Sequence, residues 1–114
     1  DLLADVTAHA IRQAMQADAA DDRSAAGTYH LAAAGCTTWY EYAKHVLALV
    51  ERAHPAIQLI AKEVRPVPTS AFPTAAKRPH NSRLDTTKLQ TTFGLHLPQW
   101  QDGVERMLSE IEIA

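Results

Sequence analysis

The sequence lacks any run of about 18 apolar residues, the length that a membrane-spanning helix requires. It has one cysteine, Cys36, so no internal disulfide can form, which suits a cytoplasmic protein. With no base partner beside it in the sequence, Cys36 reads as a buried or incidental thiol rather than a nucleophile. No basic excess is present: the net charge is −2, which argues against general nucleic-acid binding. The six histidines include no His-Glu-x-x-His, and no cysteine pair exists to complete a zinc site. Asp5 and His9 share a helix face, where a surface hydrogen bond is expected rather than a metal. No glycine-rich strand–turn–helix fingerprint for a dinucleotide occurs, and no serine stands in a nucleophile elbow. Nothing in the chain builds an active site unaided.

The 114 residues support one domain with a modest core. The chain opens on Asp1 with an apolar helical pattern (Leu2, Leu3, Val6, Ala10, Ile11, Met15) already under way. That start is the expectation for a piece of a longer protein. The spacing predicts a first helix over about Leu2 to Ala17, then a polar connection through Asp18, Asp21, Asp22, Arg23 and Ser24. Thr28 to Ala32 reads as a short strand. Thr38 with Glu41 three residues later fits a capping box ahead of a helix over about Trp39 to Ala53, which His54-Pro55 stops. Its Tyr42, Val46, Leu49 and Val50 are expected to face inward. Ile57 to Val64 alternates like a strand, and Ser82 to Leu84 could add another. Asp85 is the expected N-cap of a helix over about Thr86 to Phe93, with Gly94 as its left-handed terminator. Pro98 suits the first turn of a last helix that would bury Trp100, Val104, Met107, Leu108 and Ile111.

The charge is distributed unevenly. Between Lys62 and Lys88 stand six basic residues and two acidic ones, a local +4 that leaves −6 on the rest. Pro66, Pro68, Pro73 and Pro79 fall within this stretch and remove amide donors that a helix or ladder would need. A proline-rich segment this long is either disordered or a shaped binding loop, and Phe72 with its apolar neighbours favours the loop. A basic loop on an acidic protein suits a small polyanion such as a diphosphate, but on charge alone a solvated loop with local charge pairing is the readier explanation. Arg78 is a candidate phosphate ligand, because a guanidinium donates two parallel charge-assisted bonds to phosphate, but without further context a surface salt bridge is the readier reading. Asn81 and Ser82 could bond sugar hydroxyls or simply cap the turn. Tyr40-x-x-x-Lys44 has the spacing of a dehydrogenase proton donor, but without the dinucleotide fingerprint it reads as an ordinary helix pair.

Five motifs follow one another in order: Gly27-Thr28-Tyr29-His30-Leu31, Thr37-Thr38-Trp39-x-x-Tyr42-Ala43, Val67-Pro68-Thr69-Ser70-Ala71-Phe72-Pro73-Thr74, Arg78-Pro79-x-Asn81-Ser82-Arg83-Leu84 and Leu97-Pro98-Gln99-Trp100. Together they resemble the C-terminal third of the dTDP-4-dehydrorhamnose reductases, within the extended short-chain dehydrogenase superfamily. Arg78-Pro79 through Asp85-x-x-Lys88 stands where that wider group has Arg-Pro-Gly-Asp and a following Asp-x-Ser-Lys; here His80 and Asn81 replace the glycine and aspartate.

The resemblance implies an α/β protein whose small, mostly helical substrate domain, with a few short strands, occupies residues 1–114. It would pack on an NADPH-binding Rossmann half that lies outside this chain. That half would carry the cofactor, a Thr/Ser and the Tyr-x-x-x-Lys acid, so no catalytic or cofactor-binding residue is expected here. The implied reaction is reduction of the 4-keto group of dTDP-6-deoxy-L-lyxo-4-hexulose to dTDP-L-rhamnose. Substrate contacts would fall to Arg78 foremost, with Lys77, Asn81 and Arg83 as further candidates. The family can form Mg²⁺-assisted homodimers, though no metal ligand is identifiable in this sequence. The partner is a dTDP-sugar, with neither nucleic acid nor membrane. The alternative from the residues alone is a non-catalytic helical protein-interaction domain. Another is the same domain of a related nucleotide-sugar 4-ketoreductase.

Overall fold

In the computed structural model, which describes residues 1–111, helices form where the apolar spacing places them. They are α1 (Leu2–Ala19), α2 (Trp39–Ala53), α3 (Thr87–Phe93) and α4 (Trp100–Glu110), with a single 3-10 turn at Thr69–Ala71. The chain divides into two compact units, one made of Asp1–Ala34 with Leu84–Gln99 and the other of Gly35–Arg83 with the chain from Trp100 onward. None of the described helices is long and apolar enough to cross a membrane.

In the first unit, α1 and α3 share a small core of Val6, Leu89, Phe93 and Leu97, flanked by Leu2, Ala10, Tyr29 and Leu31. α1 runs two residues past its expected end. It closes because Asp21 takes a left-handed φ of 58°, which turns the Asp22 amide back onto the Ala17 carbonyl at 2.8 Å. Aspartate tolerates that conformation better than most residues with a Cβ. His9 meets the Gln13 amide at 2.6 Å rather than Asp5, and the Gln13 Nε2 donates to the Phe93 carbonyl at 3.1 Å. Leu3, Ile11 and Met15, which complete the apolar stripe of α1, remain exposed.

The strands expected at Thr28–Ala32, Ile57–Val64 and Ser82–Leu84 do not form, so the described residues are mostly helical rather than α/β. Their only β pairing is an isolated parallel bridge between Ala34 and Gln99. A β pattern becomes a strand only where a neighbouring chain accepts and donates across it, and these segments find no such neighbour. Pro98 precedes α4 instead of entering its first turn, and its carbonyl accepts the Ala34 amide at 2.8 Å.

Residues 28–31 are held to α3 by side chains. The Lys88 ammonium donates to the Thr28 carbonyl at 3.0 Å and stands 4.6 Å from the centre of the Tyr29 ring. Tyr29 packs on Phe93 with centroids 5.1 Å apart and donates its hydroxyl to the Ala25 carbonyl. Gly27 precedes this segment with φ 143°, and a Cβ there would stand 3.0 Å from the Lys88 ammonium.

In the second unit, α2 begins as expected, with the Thr38 hydroxyl accepting the Glu41 amide at 3.2 Å. Leu49 is buried, while Tyr42, Val46 and Val50 are half-buried. Tyr42 and His45 pack on Trp100, with centroids 5.7 and 5.1 Å apart, and Arg52 reaches Glu105 at 3.8 Å further along. The contacts therefore advance along α2 and α4 together, and the two helices run side by side in the same direction. Val104 is buried in α4, but Met107 and Ile111 lie largely in solvent rather than on its buried side. Cys36 is exposed, not buried, so of the two readings for this thiol the incidental one remains.

Both ends of α3 are set by residues that the sequence marks, with one shift. Thr86, not Asp85, is the N-cap, yet the Asp85 carboxylate accepts the Thr87 amide at 2.9 Å from one position earlier. The Thr87 hydroxyl and amide lower the Asp85 pKa below the usual carboxylate value, with a smaller push from His30. A depressed pKa stabilises the fold above the unfolded value, near pH 4, and that contribution is lost as the pH falls through the folded value. Asp85→Asn keeps an acceptor oxygen and removes the titration, so its thermal midpoint should fall less steeply below about pH 4 than the parent's. At the other end, Gly94 closes α3 in the left-handed region at φ 62° and ψ 42°. Gly94→Ala should cost about 1–2 kcal/mol in chemical denaturation, and Gly94→Asn less, because Asn tolerates that region.

Candidate functional site

The basic, proline-rich segment lies in the second unit, and every residue from Arg65 through Arg83 is exposed. The reason is local. Each proline removes a backbone donor and biases the residue before it towards an extended conformation, so Arg65, Val67, Phe72 and Arg78 are all steered away from helix. Between them the chain makes one 3-10 turn, closed by the Ala71 amide on the Pro68 carbonyl at 2.9 Å. The Thr74 hydroxyl then donates to the Ala76 carbonyl at 2.7 Å. The apolar residues of this loop are not buried: Phe72 is 75% exposed and Val67 also faces solvent.

The cations on this segment differ in what surrounds them. Arg65 pairs with Glu63 at 2.8 Å, and that hydrogen bond raises the pKa of an already fully charged guanidinium. Its charge is largely answered by a neighbour. Arg83 is held differently, since the Asn81 Oδ1 accepts both its backbone amide at 3.0 Å and its Nε–H at 3.1 Å. Lys62, Lys77 and Arg78 have no ion-pair or hydrogen-bond partner among the described residues. Asn81 and Arg83 are thus brought together, while Arg78 and Lys77 stand free beside Pro79. Lys88, counted with this basic stretch in the sequence, belongs to the first unit and is engaged by Thr28 and Tyr29.

Tyr40 and Lys44 make a contact typical of residues one helical turn apart: the ammonium stands 5.0 Å over the ring. Trp39, at the start of the same helix, is 87% exposed and meets Tyr42 edge-on with centroids 6.0 Å apart. Sequence reading did not foresee the Asn81–Arg83 clasp or the Glu63–Arg65 pair. The spacing of two residues was the available signal in both cases, but it does not say which donor the acceptor takes. Among the described residues no three His, Cys, Asp or Glu side chains gather closely enough to hold a metal ion, so the Mg²⁺ implied by the resemblance finds no ligand set there.

Comparison with known proteins shows which family the chain resembles. The model of the RmlD substrate binding domain matches residues 1–113. The dTDP-4-dehydrorhamnose reductase of Escherichia coli K12 is 51% identical over 97% of this chain, and that of Shigella flexneri is 52% identical over the same share. A relative of the same name from Burkholderia thailandensis is 39% identical over 90% of the chain. In each case the match covers about a third of the relative, 34–35% of its length. With nearly every residue inside the domain match, this chain belongs to the RmlD substrate binding domain family.

Proposed function

We propose that this chain is the sugar-nucleotide-binding portion of a cytoplasmic reductase that converts dTDP-6-deoxy-L-lyxo-4-hexulose to dTDP-L-rhamnose for cell-surface polysaccharide. The observation that carries the reading is the half-identity to reductases of that name across nearly the whole chain. In this reading NADPH, bound by a Rossmann half outside the chain, supplies the hydride that reaches C4 of the sugar. The proton for the new hydroxyl comes from a Tyr-x-x-x-Lys acid in that half, not from Tyr40 and Lys44.

The residues of this chain bind and orient. Arg78 is a fully charged, unpartnered guanidinium beside a rigid proline, so its fork can meet two phosphate oxygens without first breaking an ion pair. Lys77 adds a point charge next to it. The exposed Phe72 and Val67 are the apolar part of the same loop, available to line a pocket wall when a ligand covers them. Anchoring the diphosphate far from the reacting carbon is how binding energy at a remote group is used to orient a substrate.

The test uses the full-length protein that carries this domain. Arg78→Ala should raise KM for the dTDP-sugar at least tenfold, the usual scale for a lost charge-assisted bond, with a smaller effect on kcat. Tyr40→Phe should leave both constants near the parent values. Full activity of Arg78→Ala, or robust ketone reduction by the 114 residues alone, would overturn the proposal.

A further inference from the structure

The Asn81–Arg83 clasp bears on how the loop would hold an anion, and it rests on the sugar-nucleotide reading above. The side-chain oxygen of Asn81 is already used twice, by the Arg83 amide at 3.0 Å and the Arg83 Nε–H at 3.1 Å. An oxygen so engaged is poorly placed to accept from a sugar hydroxyl as well. What it does for Arg83 is specific. A guanidinium has two edges that can meet an oxyanion in parallel bonds, one formed by Nε and an Nη, the other by the two Nη groups. Asn81 occupies the Nε side and leaves the terminal pair open.

The nature of the clasping group matters as much as its position. Glu63 holds Arg65 by a carboxylate at 2.8 Å, which orients the guanidinium and cancels its charge. Asn81 is neutral, so it orients Arg83 and leaves the full positive charge in place. Among the described residues Arg83 has no carboxylate partner. Ordering a long, exposed side chain in advance removes part of the rotamer entropy that binding would otherwise cost. An arginine ordered by a neutral amide is therefore a prepared anion ligand, whereas one ordered by a carboxylate is not.

The geometry points to a division of roles in this segment: Arg83 is a second diphosphate-binding cation alongside Arg78, and Asn81 is its positioning residue.

The experiment measures calorimetric binding of dTDP and of thymidine to the full-length protein and four variants. Arg83→Gln should weaken dTDP about tenfold or more, the scale of a charge-assisted pair, and leave thymidine unchanged because it carries no phosphate. Arg83→Lys, which keeps the charge but loses the clasp, should fall between. Asn81→Ala should weaken dTDP by about threefold, the effect of freeing one side chain. Asn81→Asp retains both acceptor bonds but places a carboxylate on Arg83, so it should weaken dTDP more than Asn81→Ala does. A purely structural Asn81 predicts the reverse order, since aspartate would preserve the turn and alanine would not; that order overturns the inference. So does parental dTDP affinity in Arg83→Gln, or an equal loss of dTDP and thymidine. Failure of the parent protein to bind dTDP at all overturns the sugar-nucleotide reading, and this inference with it.

Discussion

The four prolines between positions 66 and 79 impose the constraint on which the candidate site depends. Each deletes an amide donor and disfavours helix in the residue before it, so the backbone here can join neither a helix nor a ladder. A chain that cannot satisfy itself must run through water, and this one does, with every residue from Arg65 through Arg83 exposed. No Asp or Glu stands between Glu63 and Asp85 in the sequence, so Lys77 and Arg78 have no acidic neighbour close by along the chain. The exposure leaves Phe72 and Val67 without packing, an arrangement that costs little only if a ligand or a partner surface covers them in use.

Electrostatics then sorts the cations that the loop displays. Lys62 to Lys88 looks uniform as a sequence, six bases in one stretch, yet the structure gives them unequal standing. Arg65 is answered by Glu63, and Lys88 is tied to Thr28 and the Tyr29 ring. Arg83 is oriented without being neutralised, and Arg78 and Lys77 are free among the described residues. The cations left without a partner are fewer than the count of lysines and arginines suggests. The engaged Lys88 contributes instead to the fold, next to a glycine whose missing side chain leaves room for its ammonium.

The chain builds two compact units rather than one. Its cores are small, with Leu89, Phe93, Leu97 and Val6 in one unit and Leu49 and Val104 in the other. The apolar stripe of Leu3, Ile11 and Met15 on α1 faces solvent.

The sequence by itself determined the four helices, because apolar spacing, a Thr38 cap, a Gly94 terminator and proline stops are local instructions that need no distant partner. It likewise located the basic loop, and the order of five short motifs was enough to recognise the family before any geometry was known. Tertiary structure decided the rest. Whether Thr28–Ala32 or Ile57–Val64 becomes a strand depends on a neighbour to pair with, which no period-two pattern supplies. Whether Phe72, Met107 or Ile111 is buried depends on what packs over it, which the stripe on one helix cannot tell. The role of each cation was hidden for the same reason: charge is written in the sequence, but neutralisation depends on where the opposing group lies in space.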